Sequence, residues 1–162
     1  MYVLGKECLV IFIKYGILLA TGGGAFGCFT NNDNLWSIVQ QAGAHTGDRA
    51  WRLPLWNYYH RQITDDPAVD LRNQGSGKAT PCIGAAFLRN FVCGEWVHMD
   101  ITGVGKVSHA GAPYLAPRRM SGRPARTLAR TLEHIADACA NANANANATP
   151  KRKPESDQKD RQ

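Results

Sequence analysis

His98 and Asp100 are two residues apart in an alternating stretch, so on a strand both side chains project to one face. An imidazole and a carboxylate so placed can share a metal or fix an imidazole tautomer. No third or fourth ligand stands at a recognisable spacing, and a buried hydrogen-bonded pair is the expected state. Gly22, Gly24 and Gly27 follow an apolar run in a G-x-G-x-x-G pattern, with Asp48 downstream, as a phosphate-binding turn would require. Phe29 to Asp33 separate these glycines from the next helix start, however, and a tight packed loop is expected. Arg123, Arg126 and Arg130 fall at i, i+3 and i+7, one helix face that with Arg118 and Arg119 could grip phosphates. No aromatic residues interleave them, and a solvated or subunit-facing side is expected. Ser37, Ser76, Ser108 and Ser121 lack a nucleophile elbow, and no cysteine has a catalytic neighbourhood.

Charge points the same way. The net charge is +6, yet residues 1–100 balance eight basic against eight acidic side chains, whereas residues 101–132 hold six basic and no acidic ones. The basicity is local, and binding of nucleic acid is not favoured. The five cysteines, Cys8, Cys28, Cys82, Cys93 and Cys139, are odd in number and include no C-x-x-C pair. Reduced thiols in a cytoplasmic protein are expected, with neither a disulfide framework nor a thiolate zinc site.

The elements that would position these groups can be read from periodicity. Leu9 to Ala20 is apolar apart from Lys14 and too short for a membrane-spanning helix of about 20 residues. It loosely resembles a signal peptide, but Lys14 interrupts it, and a buried strand at Leu9–Ile13 is the preferred reading. Thr21 to Gly27 reads as a glycine-rich loop. Asn31 to Asn34 offer caps for a helix with Leu35, Ile38, Val39 and Ala42 on one face and Gly47 at its end. Pro54 suits a first helical turn, and Thr80-Pro81 an N-cap and first position before Ile83, Ala86, Phe87 and Phe91, with Gly94 as stop. Trp96 to Val104 alternates as a strand. Pro124 opens a helix whose expected stripe is Leu128, Leu132, Ile135 and Ala136. Residues 140–162, low in complexity and then charged, are expected to be disordered. Helices around one or two strands leave the sheet short of partners.

Several segments together resemble the C-terminal end of the leucyl aminopeptidase, or cytosol aminopeptidase, family. They are Gly24-Ala-Phe-Gly-Cys-Phe-Thr-Asn31, Gly47-Asp-Arg-Ala-Trp-Arg-Leu-Pro-Leu55, Ala85-Ala-Phe-Leu88 with Phe91-Val92, His98-Met-Asp-Ile-Thr-Gly-Val104, Pro113-Tyr-Leu115 and Met120-Ser-Gly-Arg-Pro-Ala-Arg-Thr-Leu128. The resemblance covers about residues 20–138. It implies an α/β fold: an incomplete C-terminal portion of a mixed-sheet catalytic domain (residues 21–139), between a divergent apolar segment (1–20) and the tail (140–162). It also implies a metallo-exopeptidase that releases N-terminal residues, often leucine, from peptides. Such enzymes use two divalent cations, zinc or manganese, and are typically hexamers.

The family's metal ligands and catalytic lysine and arginine lie upstream of the matching region. Its Asn-Thr-Asp-Ala-Glu-Gly-Arg motif is absent, and Asn31-Asn-Asp-Asn34 is no substitute. No catalytic residue, no metal ligand and no cofactor is therefore expected of this chain alone. Only the pocket floor maps: Thr102 and Gly105 stand where the family has an alanine and a methionine, which implies a more polar, less filled wall. The expectation is a truncated family member, inactive by itself. The alternatives are a non-catalytic partner in homo- or hetero-oligomers of aminopeptidase subunits, and a basic nucleic-acid-binding module.

Overall fold

The computed structural model describes residues 2–4, 7–12, 16–105 and 119–148. Ten elements follow in chain order: β1 (Tyr2–Leu4), β2 (Glu7–Phe12), α1 (Gly16–Thr21), β3 (Phe26–Thr30), α2 (Asp33–Thr46), β4 (Ala50–Arg52), α3 (Asn57–Thr64), α4 (Thr80–Arg89), β5 (Glu95–Asp100) and α5 (Ala125–Ala148). The strands form one mixed sheet in the order β1-β2-β5-β3-β4. The sheet thus has five strands, where the sequence suggested one or two. The apolar run becomes β2 and lies parallel to β5, Leu9 opposite Val97 and Ile11 opposite Met99. Its β-branched residues suit a strand flanked on both edges, here by β1 and β5.

Three further strands were hidden in the sequence, the first being β1, only three residues long. Phe26 and Gly27 read as the end of the glycine loop and Cys28–Thr30 as no regular element, yet Phe26–Thr30 is the interior strand β3, antiparallel to β5 and parallel to β4. All five of its residues are buried, so it lacks the polar alternation that marks a half-exposed strand. Ala50–Arg52 is only three residues long, too short to carry a period.

The helices cover both faces. Val97 and Met99 of β5, with Phe26 and Cys28 of β3, pack against Leu35 and Val39 of α2, and Ile135 of α5 closes this side. On the other face Trp96 and Phe29 meet Cys82 and Ala85 of α4 and Tyr59 of α3. Helix α2 has the expected ends: Asn32 Oδ1 accepts the Leu35 N–H at 2.8 Å, and Gly47 (φ 80°) caps the C-terminus in the left-handed region. Gly43 lets this helix close on the following loop, because a Cβ there would come within 2.9 Å of the Asp48 carbonyl oxygen.

Other boundaries moved. Pro54 precedes α3 and lies outside it, and Trp56 is the N-cap. In α4 the cap is Ala79, so Thr80 and Pro81 are the first and second helical residues. That helix ends at Arg89, so Phe91 falls beyond it and is 59 % exposed, not part of the stripe. In α5 the most buried positions are Thr127 and Thr131, while Leu132 and Ala136 are exposed. Two threonines replace the expected leucine stripe because their hydroxyls bond backbone carbonyls, those of Asp48 and Thr127. Helix α5 continues to Ala148, so residues 140–148, expected to be disordered, are helical. The expectations for residues 149–162, and for the Pro113-Tyr-Leu115 segment, fall outside the described residues. Among the described residues no helix is long and apolar enough to cross a membrane.

Burial decides thiol reactivity. Loss of hydration on burial pushes the Cys28 thiol up to about 12, with Arg52 opposing weakly, and burial raises Cys82 as well. Cys93 and Cys139 are exposed. Iodoacetamide at pH 8 should label Cys93 and Cys139 in the folded protein, and Cys28 and Cys82 only after unfolding. Peptide mapping over time checks this; early label on Cys28 would contradict its burial. Because the folded thiol is raised, the associated stability is intact below pH 9 and declines as pH rises towards 12.

Candidate functional site

Strand β5 ends in a turn that holds Thr102 and Gly105. Asp100 Oδ1 accepts the Thr102 N–H at 3.1 Å, and the Gly105 N–H donates to the Ile101 carbonyl at 3.0 Å. Gly103 adopts φ 100°, a conformation that glycine tolerates. Thr102 is 1 % exposed, and its Oγ1 has no hydrogen-bond partner among the described residues. At Gly105 a Cβ would stand 3.3 Å from the Ile101 carbonyl oxygen and touch little else.

This turn rests on the glycine segment between α1 and β3. A Cβ on Gly23 (φ 84°) would approach the Gly103 carbonyl to 3.3 Å, so the two backbones meet directly. Arg123 locks them in place. Its Nε donates to Asp48 Oδ1 at 2.6 Å, its Nη1 to the Gly23 carbonyl at 3.1 Å and its Nη2 to the Gly24 carbonyl at 3.4 Å. Both partners of the ion pair are buried, the side chains 7 % and 1 % exposed. Around it, Thr127 Oγ1 donates to the Asp48 carbonyl at 2.9 Å and shares a 2.6 Å hydrogen bond with Thr46 Oγ1. Ser121 Oγ donates to the Val104 carbonyl and accepts the Arg123 N–H. One guanidinium thereby ties the end of α2, the glycine turn and the approach to α5 behind the turn that carries Thr102 and Gly105.

The clamp overturns one sequence expectation. Arg123 precedes α5 and is buried, so the three arginines do not form one exposed face. Arg126 reaches the same Asp48 carboxylate at 3.4 Å, and Arg130 pairs with Glu133 at 2.8 Å. Three of the six basic side chains of residues 101–132 are thus paired with acids within the chain. The glycine segment packs against the Gly103 turn, in keeping with the packed loop expected there and not with a dinucleotide site, although the loop ends before Gly27. Gly27 lies inside β3 against Ile17 and Leu53, and Asp48 serves Arg123.

His98 and Asp100 are buried, at 1 % and 0 % exposure. The imidazole stacks on Phe29, with ring centroids 5.5 Å apart, while the Asp100 carboxylate holds the Thr102 N–H. These environments explain why the pair does not converge on a metal. Among the described residues no group of three or more His, Cys, Asp or Glu side chains could hold a metal ion. The donor set present does not fit a pair of divalent cations, and no step through a metal is assigned to these residues.

Sequence reading missed the clamp. Its only sign was that Asp48 and Arg123 each follow a glycine, Gly47 and Gly122, within two of the segments that resemble the family.

Comparison with known proteins fits this geometry. Residues 14–129 match the family described as "Cytosol aminopeptidase family, catalytic domain". The cytosol aminopeptidase of Rattus norvegicus is 46 % identical over 112 residues, which cover 68 % of this chain and 21 % of that protein. The chain thus spans about a fifth of the length of the curated relatives it matches. A tomato leucine aminopeptidase variant superposes with a TM-score of 0.68 at 26 % identity, over 78 % of this chain and 24 % of that one. The bottromycin maturation enzyme BotP, in a complex with Mn, shares the fold with a TM-score of 0.74 at 24 % identity, over 80 % of this chain and 29 % of that one. The matched range includes every residue of the clamp and of the turn it supports, and the chain belongs to the cytosol aminopeptidase family, matching part of its catalytic domain.

Proposed function

We propose that these 162 residues serve peptide hydrolysis as the supporting half of a two-metal aminopeptidase domain, working in the cytoplasm on N-terminal residues of peptides. The single observation behind this reading is the family match over residues 14–129, which coincides with an intact clamp behind the Thr102–Gly105 turn. In this reading Thr102 and Gly105 form one wall of the pocket for the substrate's first side chain. The metal ligands and the catalytic lysine and arginine come from sequence outside these residues, on the same polypeptide or on an associated subunit of an oligomer. The 162 residues alone are inactive.

The test is hydrolysis of an N-terminal leucine amide by the purified chain with Mn²⁺ or Zn²⁺. No turnover above the metal-only blank is expected. Chelator-sensitive turnover that stays with the protein through a second purification would sink the proposal. A chimera carrying the family's upstream metal-ligand segment provides the positive arm. There Thr102→Ala with Gly105→Met should raise the preference for leucine over serine substrates roughly 10-fold or more, the usual effect of refilling an apolar pocket. An unchanged ratio would remove these two positions from the pocket.

A further inference from the structure

The far edge of the sheet has the features of a strand-docking site. Strand β4 is last in the sheet order and, among the described residues, pairs with β3 alone. The Arg49 carbonyl accepts the Phe26 N–H at 3.0 Å and the Leu53 N–H donates to the Cys28 carbonyl at 2.9 Å. Backbone groups alternate in direction along a parallel ladder. The N–H and C=O groups of Ala50 and Arg52 therefore point away from the sheet. A cleft of about 880 Å³ runs along this edge between β4 and α2, lined by Trp36, Gln40, Arg49, Trp51 and Arg52 among others. Trp51 is 64 % exposed, a large apolar surface for a short edge strand to leave in water.

Charge identifies the occupant. Arg49 is exposed and has no acidic partner among the described residues, and no carboxylate lines the cleft. Arg52 lies 5.8 Å over the Trp36 ring and holds Asp33 at 2.6 Å. We propose that this edge takes an extended acidic segment of a partner protein as an added strand. The segment's backbone would pair with Ala50 and Arg52, its carboxylate would meet Arg49 and an apolar side chain would cover Trp51. A second copy of this chain fits less well, because its β4 would bring Arg49 and Arg52 to the edge and no carboxylate of its own strand. Nucleic acid fits less well too, since Asp33 beside Arg52 would repel a phosphate, and phosphates cannot serve the outward N–H and C=O pairs together.

The experiment measures fluorescence anisotropy with a labelled heptapeptide of alternating Glu and Val and the full chain. The controls are the same peptide with Lys for Glu, the peptide N-methylated at alternate residues, and a labelled oligo-dT. The acidic peptide should bind, and the three controls should not. Arg49→Glu and Trp51→Ala should each weaken binding about 5-fold or more, as interface anchors do. Both residues are exposed, so the fold should persist, and the N-methylated peptide tests backbone pairing without altering the protein. No binding by the acidic peptide, or equal binding by the Lys or N-methylated peptide, would overturn the proposal. So would preferential binding of oligo-dT, or a concentration-dependent dimer that Arg49→Glu abolishes.

Discussion

Arg123→Ala should destabilise the domain by about 3–5 kcal/mol, the usual cost of removing one partner from a buried ion pair. The substitution leaves the Asp48 carboxylate, 1 % exposed, without its closest cation, and strips the Gly23 and Gly24 carbonyls of their donors. Arg126 touches the same carboxylate at 3.4 Å, but its side chain is 49 % exposed, so it compensates little. Arg123→Lys should recover part of the loss, because an ammonium cannot bridge the carboxylate and two carbonyls with one planar fork. Replacing both partners, Asp48→Leu with Arg123→Met, should cost less than either single loss of charge, since no uncompensated ion remains. Urea denaturation of these three variants, with Asp48→Leu alone as the fourth, measures these differences. If Arg123→Ala costs under about 1 kcal/mol, as exposed ion pairs do, the clamp is not what holds the turn.

The second large effect lies at Trp96. This side chain is fully buried at 0 % exposure, packed with Phe29, Cys82 and Ala85 where β5 faces α4. Trp96→Ala should cost about 3–5 kcal/mol through lost burial and the cavity that remains. Against a typical domain stability of about 5–15 kcal/mol, that unfolds a sizeable fraction of molecules at 37 °C. Trp96→Phe should cost much less. The indole Nε1 has no hydrogen-bond partner among the described residues, so the smaller ring gives up volume but no bond. Equal losses in the two variants would mean that the indole nitrogen has a partner after all.

How far the sequence foretold this molecule depended on local period. Helix α2 was readable end to end, because Asn32 and Gly47 signal its caps and Leu35, Val39 and Ala42 keep the helical spacing. Strand β5 was readable because Val97 and Met99 alternate with Trp96 and His98, each pair serving a different core. Strand β3 was not, since both its faces are buried and Gly27 interrupts its apolar residues. Helix α5 misled, because Thr127 and Thr131 occupy its most buried positions. The turn of Thr102 and Gly105 drew notice in the sequence only through family resemblance. The clamp escaped because it joins Asp48 to Arg123 across 75 residues, and no periodicity connects such positions. The arginine pattern even pointed the wrong way, offering Arg123 to solvent.

The account makes the clamp and the turn the family's contribution to this chain, and places metal binding elsewhere. Metal stoichiometry tests this most directly. The purified chain is dialysed to equilibrium against micromolar Zn²⁺ or Mn²⁺, and bound metal is counted by plasma mass spectrometry. The account predicts well under one ion per chain, unchanged by Asp48→Asn or Asp100→Asn. One or two tightly held ions per chain, lost on substituting either aspartate and accompanied by leucine amide hydrolysis, would contradict it.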